Sequence, residues 1–452
     1  MSSRWRWVAV AVVLVLAVAG GTAYVVTRPA AAPHRTATVP APYVRPGVLT
    51  PIAATDAGSA TAAGVAAALA RAGADPAFGG SLTGMVADAG SGGVLLDRDA
   101  GTPMAPASTL KLLTAAVALT TLGPTATLRT EVLRDGSTLY LRGGGDVTLT
   151  GRPVAATAYP RPASIAALAA ATAKAPAAAG ATTLCADVSA WTGPLSAPGW
   201  TPGYVTGGDV ETPTALELDE GLVSPKSHAR AAHPARTALA AFAAALKAAG
   251  LRVQRAGCVA AAPPTATVVA TVQSPPVGAL VARMLTVSDN DLAEALGRAV
   301  ATAAGRPGSF AGEAAALTAG LDRLGIATDG LRLVDASGLS RLDRVSAATL
   351  VATLRAAVRD PALRGLLDGV PIAAATGTLA KRYRSAKSRA GAGVVRAKTG
   401  TLAGVNSLAG TVVDADGQLL VFAFLTDRAV APGRTEAALD RLAATLAGCG
   451  CH

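Results

Sequence analysis

Histidine is scarce in this 452-residue chain, and its four copies are poorly placed for catalysis. His34 lies in a Pro/Ala-rich stretch, His228 and His233 fall in mid-chain, and His452 is terminal. None is near a G-x-S-x-G elbow, which disfavours a Ser-His-Asp hydrolase, and H-E-x-x-H is missing altogether. The four cysteines, Cys185, Cys258, Cys449 and Cys451, form no paired C-x-x-C arms, so no zinc site is expected. No metal and no organic cofactor is expected at any other place either. A Cys185–Cys258 disulfide is one open pairing among three, whereas Cys449 and Cys451 look too close in sequence to bridge each other. Aromatic residues make up only 3% of the chain. The +11 charge is scattered, and no finger, recognition helix or aromatic-basic platform is visible, so nucleic acid is not expected as a partner. Lysine (seven copies) and asparagine (two) are rare, and a motif built on either carries corresponding weight.

What is abundant is apolar: 51% of the residues are hydrophobic, and the length exceeds one ordinary core, so two or three domains are expected. Arg4 and Arg6 precede an apolar run from Trp7 to Val26, long enough to cross a bilayer as a helix. Residues 1–26 therefore read as a membrane anchor or a signal segment. Ala17-Val18-Ala19 matches a processing site, and the apolar run beyond it favours the uncleaved anchor. Either way the remainder is exported. Residues 27–51, with five prolines between Pro29 and Pro46, form a semi-rigid spacer. The net positive charge suits anionic surroundings such as lipid head groups or wall polymers.

Strand signals at 81–88 and 94–97 flank the turn Gly90-Ser91-Gly92-Gly93, a hairpin pattern. A helix is expected over 108–122, stopped by Gly123-Pro124. From 124 to 272 short strand candidates (127–133, 139–141, 182–188, 251–256, 267–272) alternate with Ala-rich helices, the pattern of an inserted α+β domain. Helical stretches at 277–301 and 312–324 follow, then strands at 394–399, 407–413 and 419–425 and a closing helix at 434–447. The expected architecture is one α/β domain, 52–123 plus 273–452, whose antiparallel sheet places the 81–97 hairpin beside the C-terminal strands.

Three short motifs carry the chemistry. Ser108-Thr109-Leu110-Lys111 is S-x-x-K at a helix start. Residues i and i+3 share a helix face, so the lysine nitrogen can reach the serine hydroxyl. The positive end of the helix helps lower the lysine pKa toward a useful base, and free N–H groups there can stabilise an oxyanion. Ser288-Asp289-Asn290 is S-x-N ahead of a helix, and Lys398-Thr399-Gly400-Thr401 is K-T-G-T on a strand. Each alone is weak: a capping serine, a capping Ser-Asp-Asn, a strand running into a turn. Together they are not. No other lysine has serine three residues before it, no other lysine precedes Thr-Gly, and no other asparagine sits in S-x-N.

The ordered trio is the known signature of class A β-lactamases and penicillin-binding proteins. With Gly144-Gly145-Asp146, Pro198-Gly199-Trp200, Glu294 and Asp335-Ala336-Ser337-Gly338-Leu339-Ser340, the chain from about 55 to 447 resembles the low-molecular-mass class C penicillin-binding proteins, the D-alanyl-D-alanine carboxypeptidase/endopeptidase family. The resemblance implies a serine β-lactamase/DD-peptidase-like fold, an antiparallel sheet flanked by helices, with the 124–272 stretch inserted in it. It implies cleavage of peptidoglycan stem peptides, with β-lactam antibiotics as covalent inhibitors. Ser108 would be the nucleophile, Lys111 the base, Ser288 a proton relay, and Asn290 the residue orienting Lys111 and the substrate amide. Lys398, Thr399, Gly400 and Thr401 would bind substrate. A β-lactamase would need a deacylating carboxylate, for which no residue can be assigned, and the 176 residues between Lys111 and Ser288 are too many for it. A non-catalytic wall-binding or sensor protein would not be expected to keep all three motifs intact.

Overall fold

The computed structural model describes residues 59–155 and 157–452. The anchor and the whole spacer thus lie outside the described residues. Among these, no helix is long and apolar enough to cross a membrane.

Residues from both ends of this stretch build one sheet. Its strands are β1 (Thr83–Asp88), β2 (Val94–Arg98), β8 (Arg396–Leu402), β9 (Val405–Val413) and β10 (Leu419–Thr426), in the order β2-β1-β10-β9-β8. Every neighbouring pair is antiparallel, and β1 runs beside β10 from Thr83↔Leu425 to Asp88↔Leu420. The expected hairpin and the C-terminal strands therefore share a sheet. Alternation along β10 explains its burial. Val421, Ala423 and Leu425 face one core cluster, while Leu420, Phe422 and Phe424 face another. A strand apolar on both faces belongs between two helical layers. On one side lie α1 (Ala62–Gly73) and α9 (Pro432–Ala447). On the other lie α2 (Lys111–Thr121), α5 (Val277–Val287), α6 (Asn290–Ala303), α7 (Phe310–Arg323) and α8 (Ala347–Arg359).

The stretch between α2 and α5 forms a second five-stranded sheet of β3 (Arg129–Asp135), β4 (Thr138–Arg142), β5 (Thr183–Asp187), β6 (Arg255–Val259) and β7 (Thr267–Gln273). Its order is β6-β5-β4-β3-β7; β4–β5 and β5–β6 are parallel and the other pairs antiparallel. Helices α3 (Ile165–Lys174) and α4 (Pro234–Ala248) close its separate core around Leu139, Leu184 and Phe242. A disulfide, Cys185–Cys258, ties β5 to the edge strand β6.

Two expectations need correction. The apolar run at 277–301 is not one helix, because Ser288 adopts a left-handed conformation (φ 62°) that ends α5, and Asp289 caps α6 through the Leu292 N–H. Cys449 and Cys451 are bridged after all. Their Cα atoms lie 5.1 Å apart, within disulfide range, because Cys451 turns back at φ 39°.

Candidate active site

Ser108 sits in a tight 3-10 turn, Ala107–Leu110, that runs into α2. The residue before it, Ala107, is held at φ 47°, a conformation that costs a non-glycine residue energy and marks a constrained site. Gly338 makes the turn possible: a Cβ there would overlap the Ala107 carbonyl. One turn on, Lys111 is fully buried. Its Nζ donates to Ser108 Oγ at 3.0 Å, Asn290 Oδ1 at 2.6 Å and the Ser337 carbonyl at 2.7 Å. Burial pushes the ammonium down from 10.5 to about 8, against the opposing pull of Asp335, Glu294, Asp289 and Asp291. An amine that sheds its proton near neutrality, in contact with a serine hydroxyl, has the geometry of a general base.

The strand β8 brings in the second lysine. Lys398 Nζ, also fully buried, donates to Ser288 Oγ at 2.9 Å and to the Thr399 carbonyl at 2.8 Å. Burial, reinforced by Lys111 and Arg382, holds it well below the usual lysine range. Gly400 allows β8 to approach the nucleophile turn. A Cβ there would overlap Ser407 Oγ and lie 2.7 Å from the Pro106 carbonyl. Ser407 and Thr109 both donate to that same carbonyl, at 2.6 and 2.7 Å, which fastens the turn to the sheet.

Ser108, Ser288, Asn290 and Thr401 line one cleft of about 450 Å³, with Thr201, Tyr204, Asp209, Leu339 and Arg341 among its walls. Six of the eight site residues expected from sequence thus meet through direct contacts or a shared wall. Gly400 serves as a spacing element behind them. Thr399 is turned away, its hydroxyl 2.9 Å from that of Thr378. Among the described residues, Glu220, Asp289 and Asp291 are grouped closely enough to be considered for a metal. Arg283 pairs with Glu220 and Asp289, and Arg230 with Asp291, so each carboxylate of the group already has an arginine partner.

Several contributors escaped the sequence. Lys111 is held by the Ser337 carbonyl and Asn290 by the Asp209 carbonyl (2.8 Å), and a backbone oxygen has no residue-type signature. Glu294 accepts from the Ala336 and Ser337 N–H groups at 3.2 and 3.0 Å, fixing the loop that supplies the first carbonyl. Glu294 already stood among the residues that carry the family resemblance, one helical turn from Asn290 along α6, but nothing in the sequence assigned it this loop.

A family model described as D-Ala-D-Ala carboxypeptidase 3 (S13) matches residues 65–232 and 225–446, nearly the whole described chain. The chain belongs to the D-Ala-D-Ala carboxypeptidase S13 family. The carboxypeptidase DacB of Mycolicibacterium smegmatis is 42% identical over 402 residues, covering 86% of this chain and 85% of its own. A carboxypeptidase of Mycobacterium tuberculosis is also 42% identical, over 420 residues, covering 91% of this chain and 89% of its own. In fold, this S13-family chain matches penicillin-binding protein 4 of Haemophilus influenzae with a TM-score of 0.67, at 22% identity, over 81% of this chain and 95% of that one. The expected peptidase fold, antiparallel sheet and insert are those observed.

Proposed function

We propose that this serine D-Ala-D-Ala carboxypeptidase works through an acyl-enzyme on Ser108, and that it cleaves peptidoglycan stem peptides. The observation that carries the reading is Lys111 Nζ, buried, 3.0 Å from Ser108 Oγ and with a pKa brought down to about 8. Neutral Lys111 takes the Ser108 proton as Oγ attacks the carbonyl between the two D-alanines. The oxyanion is held by the backbone N–H groups of Ser108 and Thr401, each contributing about 3–4 kcal/mol if it behaves as a preorganised oxyanion donor. The proton taken up by Lys111 is relayed through the Ser288 hydroxyl to the departing D-Ala nitrogen, which returns Lys111 to its neutral form, and Asn290 keeps Lys111 in register. Lys398 receives the terminal carboxylate. Among the described residues this buried lysine has no carboxylate partner, so a bound carboxylate supplies the counter-charge that favours its ammonium form. Water then releases the acyl group.

A β-lactam places a strained amide at the same position and acylates Ser108. On cross-linked peptides the same site acts as an endopeptidase. The apolar N-terminal segment, Trp7–Val26, carries the catalytic domain to the outer face of the cell membrane. Exposure to a fluorescent penicillin, with D-alanine release measured on a defined muropeptide, tests the assignment. Wild type is expected to be labelled and to release D-alanine, and Ser108→Ala to do neither. Normal cleavage by Ser108→Ala would refute the nucleophile.

A further inference from the structure

Asn290 accepts a hydrogen bond from Lys111, so whatever fixes Asn290 also fixes the base. Two contacts from the inserted segment do this. The Asp209 carbonyl accepts from Asn290 Nδ2 at 2.8 Å, and the Glu211 N–H donates to Asp291 Oδ1 at 2.7 Å. The first residues of α6 are therefore bonded to one short loop, 208–211. One side chain ties that loop back to the helix. Arg230 Nη2 donates to the Gly208 carbonyl at 3.0 Å and pairs with Asp291 Oδ2 at 3.0 Å, while Nη1 donates to the Glu220 carbonyl. The Arg230 side chain is only 10% exposed, and its planar guanidinium fork can hold several acceptors in fixed relative positions. Gly208, at φ 81°, lies so close to the His228 carbonyl that a Cβ there would overlap it, which packs the loop against the segment leading to Arg230.

We infer that Arg230 is a positioning residue for acylation, acting through the 208–211 loop on Asn290 and so on Lys111. This rests on the assignment of Ser108 and Lys111 above. Substrate capture involves Lys398 and Thr401 on β8, which Arg230 does not touch. Asp209 of the loop is also a cleft wall, so loss of Arg230 should act mainly on the acylation step and to a smaller extent on the binding constant. A displacement of the order of 1 Å in a reacting constellation costs about a hundredfold in rate, so Arg230→Gln is expected to acylate ten- to a hundredfold more slowly.

Stopped-flow acylation by a penicillin, resolved into binding and acylation constants, gives the readout, with the thermal midpoint measured in parallel. The double variant Cys185→Ser/Cys258→Ser serves as a control, since it loosens the same insert at a place with no bond to Asn290. Arg230→Lys, which keeps the charge but loses the fork, should fall between wild type and Arg230→Gln, and it provides the reading if Arg230→Gln does not fold. A lowered acylation constant in the Arg230 variants, beyond that of the disulfide control at comparable loss of stability, supports the inference. Acylation at the wild-type or control rate overturns it, as does a loss confined to the binding constant. An unlabelled wild type would instead overturn the acyl-enzyme reading itself.

Discussion

The two sheets have the same number of strands and different jobs. The antiparallel sheet is covered on both faces: along β9, residues 405–412 are all buried, and the two core clusters meet it from opposite sides. The mixed sheet of the insert is covered less fully, and its edge strand β6 is exposed at all five positions. Every side chain assigned to bond-making comes from the first region: Ser108 before α2, Ser288 and Asn290 at the α5–α6 break, Lys398 on β8. The insert supplies a backbone carbonyl, the Arg230 tie and cleft walls such as Tyr204. A buried, doubly packed framework can hold a lysine in an environment that depresses its pKa, because water and rearrangement are both excluded. A half-exposed layer is better suited to bracing that framework from outside. The comparison predicts that damage to the body stops chemistry, whereas damage to the insert mainly lowers stability unless it reaches the 208–211 loop.

The largest effect is expected at Lys111. Lys111→Met should lower acylation by about a thousandfold or more, as loss of a general base does. It should not unfold the protein. A lysine with its folded pKa near 8 and its ordinary value at 10.5 binds fewer protons folded than unfolded between those values. Wild-type stability from this group therefore rises with pH from about 8 to 10.5, and below about 8 the buried ammonium carries its full penalty. The apolar replacement should thus melt no lower than wild type at pH 7. In the wild-type enzyme, acylation should rise about tenfold per pH unit and level off near pH 8, as the neutral base fills. A pH-independent rate between 6 and 9 would remove Lys111 from the role of base.

A middle-sized effect is expected at Gly400, where the body's own strands are pressed together. Gly400→Ala introduces a Cβ into the space of Ser407 Oγ and against the Pro106 carbonyl, the group that fastens the nucleophile turn to β9. Overpacking of this kind costs about 1–3 kcal/mol. Shifting β8 from Ser108 should slow acylation by about ten- to a hundredfold. Thermal melting with the same acylation assay checks both. If Gly400→Ala melts lower yet acylates normally, the spacing of β8 from Ser108 does not set the reaction geometry.

Much of this was legible before the structure. The three motifs stood out because seven lysines and two asparagines leave little room for coincidence, and both sheets were outlined by short apolar strand candidates between turn signals. The continuous apolar run 419–425 is one of them, and in the structure its alternate residues divide between two cores, Val421, Ala423 and Leu425 on one side and Leu420, Phe422 and Phe424 on the other. What the sequence hid was tertiary in origin. The stretch at 277–301 reads as one helix from its composition, and the break at Ser288, at φ 62°, is a backbone conformation that the residue type does not announce. The carbonyls of Ser337 and Asp209, which hold Lys111 and Asn290, would be offered by any residue at those positions. Thr399 illustrates the opposite failure: a motif position whose hydroxyl is turned to Thr378. Arg230 was one arginine among many, since nothing local distinguishes a solvated cation from one that ties a loop to a catalytic helix.

The smallest effect on chemistry, and the sharpest check on the division of labour, comes from the insert's disulfide. Cys185 and Cys258 are 73 residues apart and join β5 to the exposed edge strand β6. Cross-linking so long a loop restricts the unfolded chain, and its removal costs about 2–4 kcal/mol. Cys185→Ser/Cys258→Ser should therefore melt several degrees lower and expose the β6 edge to proteolysis first, because β6 would then be held only by its pairing with β5 and its packing on α4. Below the melting transition its acylation constant should stay within about threefold of wild type, since neither cysteine touches the S-x-N helix start or the 208–211 loop. Limited proteolysis followed by mass mapping, run beside the acylation assay, reads both quantities on one sample. Early cleavage near β6 with acylation preserved would place this sheet in a bracing role. Acylation falling in step with stability would mean that the mixed sheet as a whole, rather than the Arg230-tied loop, governs the position of Asn290.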